Sequence, residues 1–361
     1  GQPRIGVWRN NWVGFTEANG RPFEVYEAAA ATIGRPTAAL RAAITFTGEV
    51  AIAVASSEPL RFHVLTRPAT PAGGAAAAPI VRIVGAALTE TGHVRLDGAP
   101  VPPASQWPWA IDVGADGDYA ITTAGEVFQV IRYDAAGRER HRLYGGRPRS
   151  RFGLTRQAGA PAGGNPAAIA IGDGGPLIVA DHGAVDLVGL APDGAVAPWR
   201  RGTWARDVAV AGGAVFAADD DGTVRRFDAP DRRDPAWTAR TGRGGPIRVA
   251  AAGGRVYAAH ALSGTIAVLD AATGGAIGRL DTAAAGVDAD DIAATADGAV
   301  YALDAARGVL AAFGPDTTLS ATWPVGIASA PRYVAVADTP GGRVAAVVTD
   351  GGEVERYDLP S

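Results

Sequence analysis

The chain has 361 residues, 47% of them hydrophobic, and a formal charge of −4. That balance argues against a general nucleic-acid binder, and no apolar run approaches the ~18 residues that cross a bilayer as a helix. All 33 basic residues are Arg and Cys is absent, which removes lysine Schiff bases, P-loop lysines, disulfides, thiolate nucleophiles and Cys-ligated zinc together.

Met is absent too, so an initiator Met, a signal peptide or a tag is expected to have preceded Gly1. Arg4–Arg9 reads as a lone strand. Asn19-Gly20, between Val13–Glu17 and Pro22–Tyr26, is a hairpin signal, because Asn-Gly supplies the positive φ of a two-residue turn. Ala43–Leu65 has turn signals at Thr47-Gly48 and Ser56-Ser57. The stretch 67–107 begins as a Pro/Gly/Ala-rich arm, Arg67 to Pro79, and ends on the aromatic anchor Gln106-Trp107-Pro108-Trp109.

From there the chain repeats. One set of turns lies at Asp116-Gly117, Gly174-Gly175, Gly212-Gly213, Gly253-Gly254, Asp297-Gly298 and Gly341-Gly342. A second set follows at Gly125, Gly183, Gly222, Gly264, Gly308 and Gly352, after 8 to 10 residues each time. Such a gap holds one short strand, and glycine this frequent is incompatible with helices of ordinary length. The first set recurs every 38 to 44 residues after one longer step of 58, which is the length of a four-stranded blade plus one insertion at 146–166. Third strands end on an aromatic or Leu followed by Asp, as in Arg132-Tyr133-Asp134, Arg226-Phe227-Asp228, Val268-Leu269-Asp270 and Arg356-Tyr357-Asp358. The expectation is an all-β fold: a single β-propeller over 1–361, most simply of seven blades, with six and eight open. The last blade reaches Ser361 after three strands, so a strand from 1–42, taken as Arg4–Arg9, should close it. The hairpin in that region is either an addition or the core of an eighth blade.

The motifs resemble the propeller-repeat group that includes NHL, YVTN and quinoprotein-like repeats. Gly264-Thr-Ile-Ala-Val-Leu-Asp-Ala-Ala-Thr-Gly274 is similar to a YVTN repeat, Ala299-Val-Tyr-Ala-Leu-Asp-Ala-Ala-Arg-Gly308 to a quinoprotein repeat, and Ile178-Val-Ala-Asp181 to the end of an NHL strand. The resemblance spans about 107–361 and implies a fold rather than an activity. Only through it does a quinone cofactor come into view; the residues themselves specify no cofactor and no metal.

If inner strands start at the top, second-set turns and blade-to-blade connections share the top face with the 67–107 and 146–166 insertions. A polar funnel is then expected from Trp109, Arg206, Asp207, Arg248, His260, Asp290, Asp291, Arg332 and Tyr333, able to take a small-molecule ligand. A partner-binding lobe is expected from Trp107, Arg147, Arg149, Arg151 and Arg156, since Trp and Arg dominate interface hot spots. Residues 132–156 hold eight Arg against two acids, and 281–304 hold six Asp and no Arg, which suits either an acidic protein partner or self-association. No Gly-x-Ser-x-Gly elbow exists, and the few Asn (10, 11, 19, 165) do not suit a calcium lactonase. A non-catalytic binding or scaffold module is therefore the first expectation. The alternative is an enzyme with its site in the funnel, such as a quinoprotein-like dehydrogenase, a lyase or a lactonase.

Overall fold

The computed structural model describes residues 39–45, 48–57, 60–68, 80–95, 106–114, 116–125, 128–145, 166–172, 175–181, 186–201, 204–229, 234–242, 248–260, 263–326 and 329–359. They form seven four-stranded antiparallel sheets, the blades of a β-propeller. From inner to outer strand, blade I is Gly48–Ser57, Leu60–Pro68, Ile80–Gly85 and Glu90–Arg95. Blade II is Gln106–Val113, Tyr119–Gly125, Phe128–Tyr133 and Glu139–Gly145. Blade III is Pro166–Ile171, Leu177–Asp181, Asp186–Leu190 and Val196–Arg201. Blade IV is Ala205–Ala211, Ala214–Asp219, Thr223–Phe227 and Trp237–Arg240. Blade V is Arg248–Ala252, Arg255–His260, Thr265–Asp270 and Ala276–Asp281. Blade VI is Asp291–Ala294, Val300–Asp304, Val309–Phe313 and Leu319–Pro324. Blade VII is Pro331–Thr339, Gly342–Thr349 and Glu353–Leu359, completed by Ala39–Thr45. Each inner strand neighbours the next, and blade VII returns to blade I.

A strand N-terminal to blade I closes blade VII, as expected, but it is not Arg4–Arg9. The partner of Glu353–Leu359 is Ala39–Thr45, with Ala43 opposite Glu355 and Ile44 opposite Val354. Arg4–Arg9 and the Asn19-Gly20 hairpin lie outside the described residues. Thr47-Gly48 is consequently no hairpin turn but the step from blade VII to blade I, and Ser56-Ser57 leads into the first turn of blade I, not its second. Nor is 67–107 one insertion, since Ile80–Gly85 and Glu90–Arg95 inside it complete blade I.

The alanine content follows from packing between blades. Second strands are covered on both faces, so Leu177–Asp181, Ala214–Asp219 and Val300–Asp304 are buried throughout. Small side chains there let neighbouring sheets approach, and burial rather than intrinsic propensity keeps alanine in strand. At the bottom face, Gly253 and Gly254 have φ of 57° and 74°, the paired left-handed conformation of a tight hairpin. A Cβ on Gly253 would also lie 2.5 Å from the carbonyl oxygen of Ala296 in blade VI.

The Arg-aromatic-Asp endings turn out to be inter-blade staples. Tyr133, Phe227 and Tyr357 are buried in their sheets. Arg132 donates to the carbonyls of Leu190 and Gly175 in blade III. Arg226 reaches the Ala271 carbonyl of blade V at 2.6 Å, and Arg356 the Ala86 carbonyl of blade I. Charge-assisted bonds of this kind fix the angle between blades without apolar volume.

Candidate functional site

The top face, where inner strands begin, is organised by a one-residue bulge. Pairing of the first two strands breaks between Val50 and Ile52, Pro108 and Ala110, Pro166 and Ala168, Ala205 and Asp207, and Pro331 and Tyr333. A bulge residue leaves the alternation of its strand and re-aims its side chain. Arg206 accordingly pairs with Asp220, and Arg332 with Asp350, each in the second turn of its own blade. In blade VI, Asp290 precedes the inner strand and accepts the Ala305 N–H at 2.7 Å, again in its own second turn. Arg206 and Arg332 are therefore turned toward the second turns of their own blades, at the rim, whereas Arg248 is turned toward Asp291 of the next blade.

One residue after the bulge, side chains face the neighbouring blade. Ala110, Ala168, Asp207, Arg248, Asp291 and Tyr333 share this level. Asp207 accepts the Val249 N–H of blade V at 2.8 Å, and Asp291 the Val334 N–H of blade VII at 2.9 Å. Arg248 donates from Nε to Asp291 at 3.1 Å and feels the charge of Asp207 as well. Two residues deeper, Asp112 accepts the Ile171 N–H of blade III at 2.7 Å. Ala170, Ala209, Ala250, Ala293 and Ala335 stand at that deeper level in blades III to VII. Three carboxylates thus brace adjacent blades by taking a backbone donor from each.

Burial dominates their electrostatics. It raises Asp112 to about 7, against the Ile171 and Val113 N–H groups, with the charges of Asp207 and Asp118 adding to the rise. Burial also lifts Asp207 to about 6 and Asp290 to about 7, opposed chiefly by Arg248 and by the Ala305 N–H respectively. Asp291 is raised by burial despite Arg248, and Tyr333 by burial beside Arg248 and Asp291. Arg248 is penalised by burial but held charged, with its pKa raised, by Asp291 and Asp207.

His260 does not join this group. It is buried at the end of its strand, with Nε2 2.8 Å from Thr241 Oγ1, and a Cβ on Gly242 would collide with its ring. Asp219, Asp304 and Thr349 end their second strands in the same way, all buried. Asp304 accepts the N–H groups of Asp288 and Arg307, so the recurring acid secures the turn. Trp107 and Trp109 lie in the blade II inner strand, Trp109 at the bulge, while their side chains and Arg147, Arg149, Arg151 and Arg156 lie outside the described residues. The acidic run 281–304 is dispersed over the fold. Asp288 and Asp304 share Arg307, Asp291 holds Arg248, and Asp297 pairs with Arg343 at the bottom face.

Sequence reasoning missed Trp204, which is 52% exposed on the top face. Its carbonyl accepts the Asp220 N–H at 3.0 Å, setting it beside the Arg206–Asp220 pair. It stands two residues before its bulge, as Trp107 does in blade II, and that shared offset was the available signal. Among the described residues no three His, Asp or Glu side chains converge on a metal position. A recess of about 80 Å³ between blades III and IV, lined by Trp199, Val210 and Gly212, opens at the bottom face and is small for an organic ligand.

No known protein family matches the sequence, and no curated protein does. The fold is similar to a chain of the mitotic checkpoint complex, with TM-score 0.66 and 11% identity over 91% of this chain and 94% of that one. It is also similar to virginiamycin B lyase from Staphylococcus aureus, with TM-score 0.63 and 12% identity over 88% and 99%. A streptogramin B lyase gives TM-score 0.62 and 11% identity over 88% and 95%. At these identities the likeness is one of fold alone, and it spans an assembly component and enzymes alike.

Proposed function

We propose that this chain is a non-catalytic binding propeller of the NHL/YVTN-like kind that engages another protein through its top face, centred on Trp204. The carrying observation is the division of labour across the bulge. The channel acids are committed to neighbouring backbones, whereas a half-exposed Trp stands on the rim among charged side chains. Trp beside Arg is the composition that interface hot spots favour. Trp107, Arg147, Arg149, Arg151 and Arg156 are proposed to serve the same partner, since Trp and Arg are the residues that hot spots favour. The test is co-purification from the native source, with crosslinking and light scattering. Wild type should hold a defined partner that Trp204→Ser loses at unchanged melting temperature, and equal retention by both would refute the reading.

A second reading, an enzyme such as a lyase acting in the channel, is favoured by one observation. Burial lifts the carboxyls of Asp112 and Asp207 to about 7 and 6, the range that general acid–base catalysis uses. In that case Asp112→Asn should abolish turnover while the partner stays bound.

A further inference from the structure

We infer that the top face of blades IV to VI docks a cationic segment of the partner, rich in Arg or Lys, with Trp204 as its aromatic anchor. This rests on the binding reading above and adds the chemistry of the partner. Three arginines on this arc are each bracketed by two acids. Arg225 lies between Asp219 and Asp221, the latter at 2.7 Å. Arg248 lies between Asp291 and Asp207. Arg307 lies between Asp288 at 2.8 Å and Asp304 at 2.6 Å. Each trio keeps one carboxylate charge in excess, and within the outer two trios one acid is buried while the other is half-exposed. The exposed members are Asp221 and Asp288, with side chains 54% and 51% accessible. The surplus therefore reaches solvent at two points on neighbouring parts of the rim.

Trp204 adds the second feature. A guanidinium or ammonium over an exposed indole gains cation–π energy, and nearby carboxylates raise the local concentration of such a ligand. Among the described residues two further arginines of blade IV reach this face: Arg206 is held by Asp220, and exposed Arg240 offsets one of the three surplus charges. An anionic segment would meet these excess carboxylates with like charge, which disfavours it.

The experiment measures anisotropy of a labelled hexa-arginine peptide, and of hexa-glutamate, on the full chain at low and physiological salt. Hexa-arginine should bind and weaken with salt, and hexa-glutamate should not bind. The double variant Asp221→Asn/Asp288→Asn should weaken binding about tenfold, and Trp204→Ser about threefold. The bottom-face control Asp228→Asn/Asp270→Asn should leave it unchanged, with every variant assayed below its own melting transition. Equal weakening by the bottom-face control, binding of hexa-glutamate, or no hexa-arginine binding would overturn the inference. So would light scattering showing that a second copy already covers the face. A co-purified partner lost on Trp204→Ser yet indifferent to Asp221→Asn/Asp288→Asn would keep the binding function and refute its cationic character.

Discussion

The rim and the channel mouth of the top face use the same residue types, Asp and Arg, for opposite purposes. In blades IV and VII one bulge residue separates them. On the rim, Arg332 and Asp350 are 52% and 44% accessible and touch only within their own blade. In the channel, Asp291 is 9% accessible and ties together blades V, VI and VII through Arg248 and the Val334 N–H. Position relative to the bulge, not residue identity, decides whether a charge braces the ring or stays within its own blade.

Loss of a brace sharpens this contrast most. Asp291→Ala leaves the Val334 N–H without its acceptor and takes one carboxylate from Arg248, costing roughly 2–4 kcal/mol. Urea unfolding reads this directly, and a loss no greater than that of a rim variant would break the distinction.

Next comes pH. Asp112 and Asp207 have folded pKa values of about 7 and 6, above the ordinary carboxylate value, so the folded state holds more protons between pH 4 and 7. Their contribution is complete below the unfolded pKa and is lost as pH rises through the folded values, roughly 4 kcal/mol for Asp112 and roughly 3 kcal/mol for Asp207. His63, buried against Tyr119 and lowered to about 4, acts oppositely, adding stability as pH rises from about 4 to 6.5. In Asp112→Asn/Asp207→Asn the decline toward neutral pH should flatten while the acid limb persists. An unaltered pH profile of the melting temperature would contradict the channel electrostatics.

The smallest effect belongs to the rim. Asp350→Ala should cost under about 0.5 kcal/mol, because exposed ion pairs contribute little. A larger loss would make the rim structural after all.

Blade number and strand order were legible because turns demand glycine, and Gly212-Gly213 or Gly253-Gly254 announce a hairpin in any environment. The closing strand was not. Ala39-Leu40-Arg41-Ala42-Ala43 has weak strand propensity, and only pairing with Glu353–Leu359 makes it one. Asp207, Arg248, Asp291 and Tyr333 were singled out because each stands at the start of an inner strand. The turn of Arg206 toward Asp220 and of Arg332 toward Asp350 was not legible, because a bulge leaves no mark in local sequence.

The account rests on the separation of bracing from binding, and one paired measurement tests it most directly. Trp204→Ser and Asp291→Asn are each assayed for melting temperature and for affinity toward the co-purified partner. Trp204→Ser should keep the wild-type melting temperature and lose the partner, and Asp291→Asn should melt lower yet bind normally below its transition. Loss of binding in Asp291→Asn with Trp204→Ser unaffected would move the functional site from the rim into the channel.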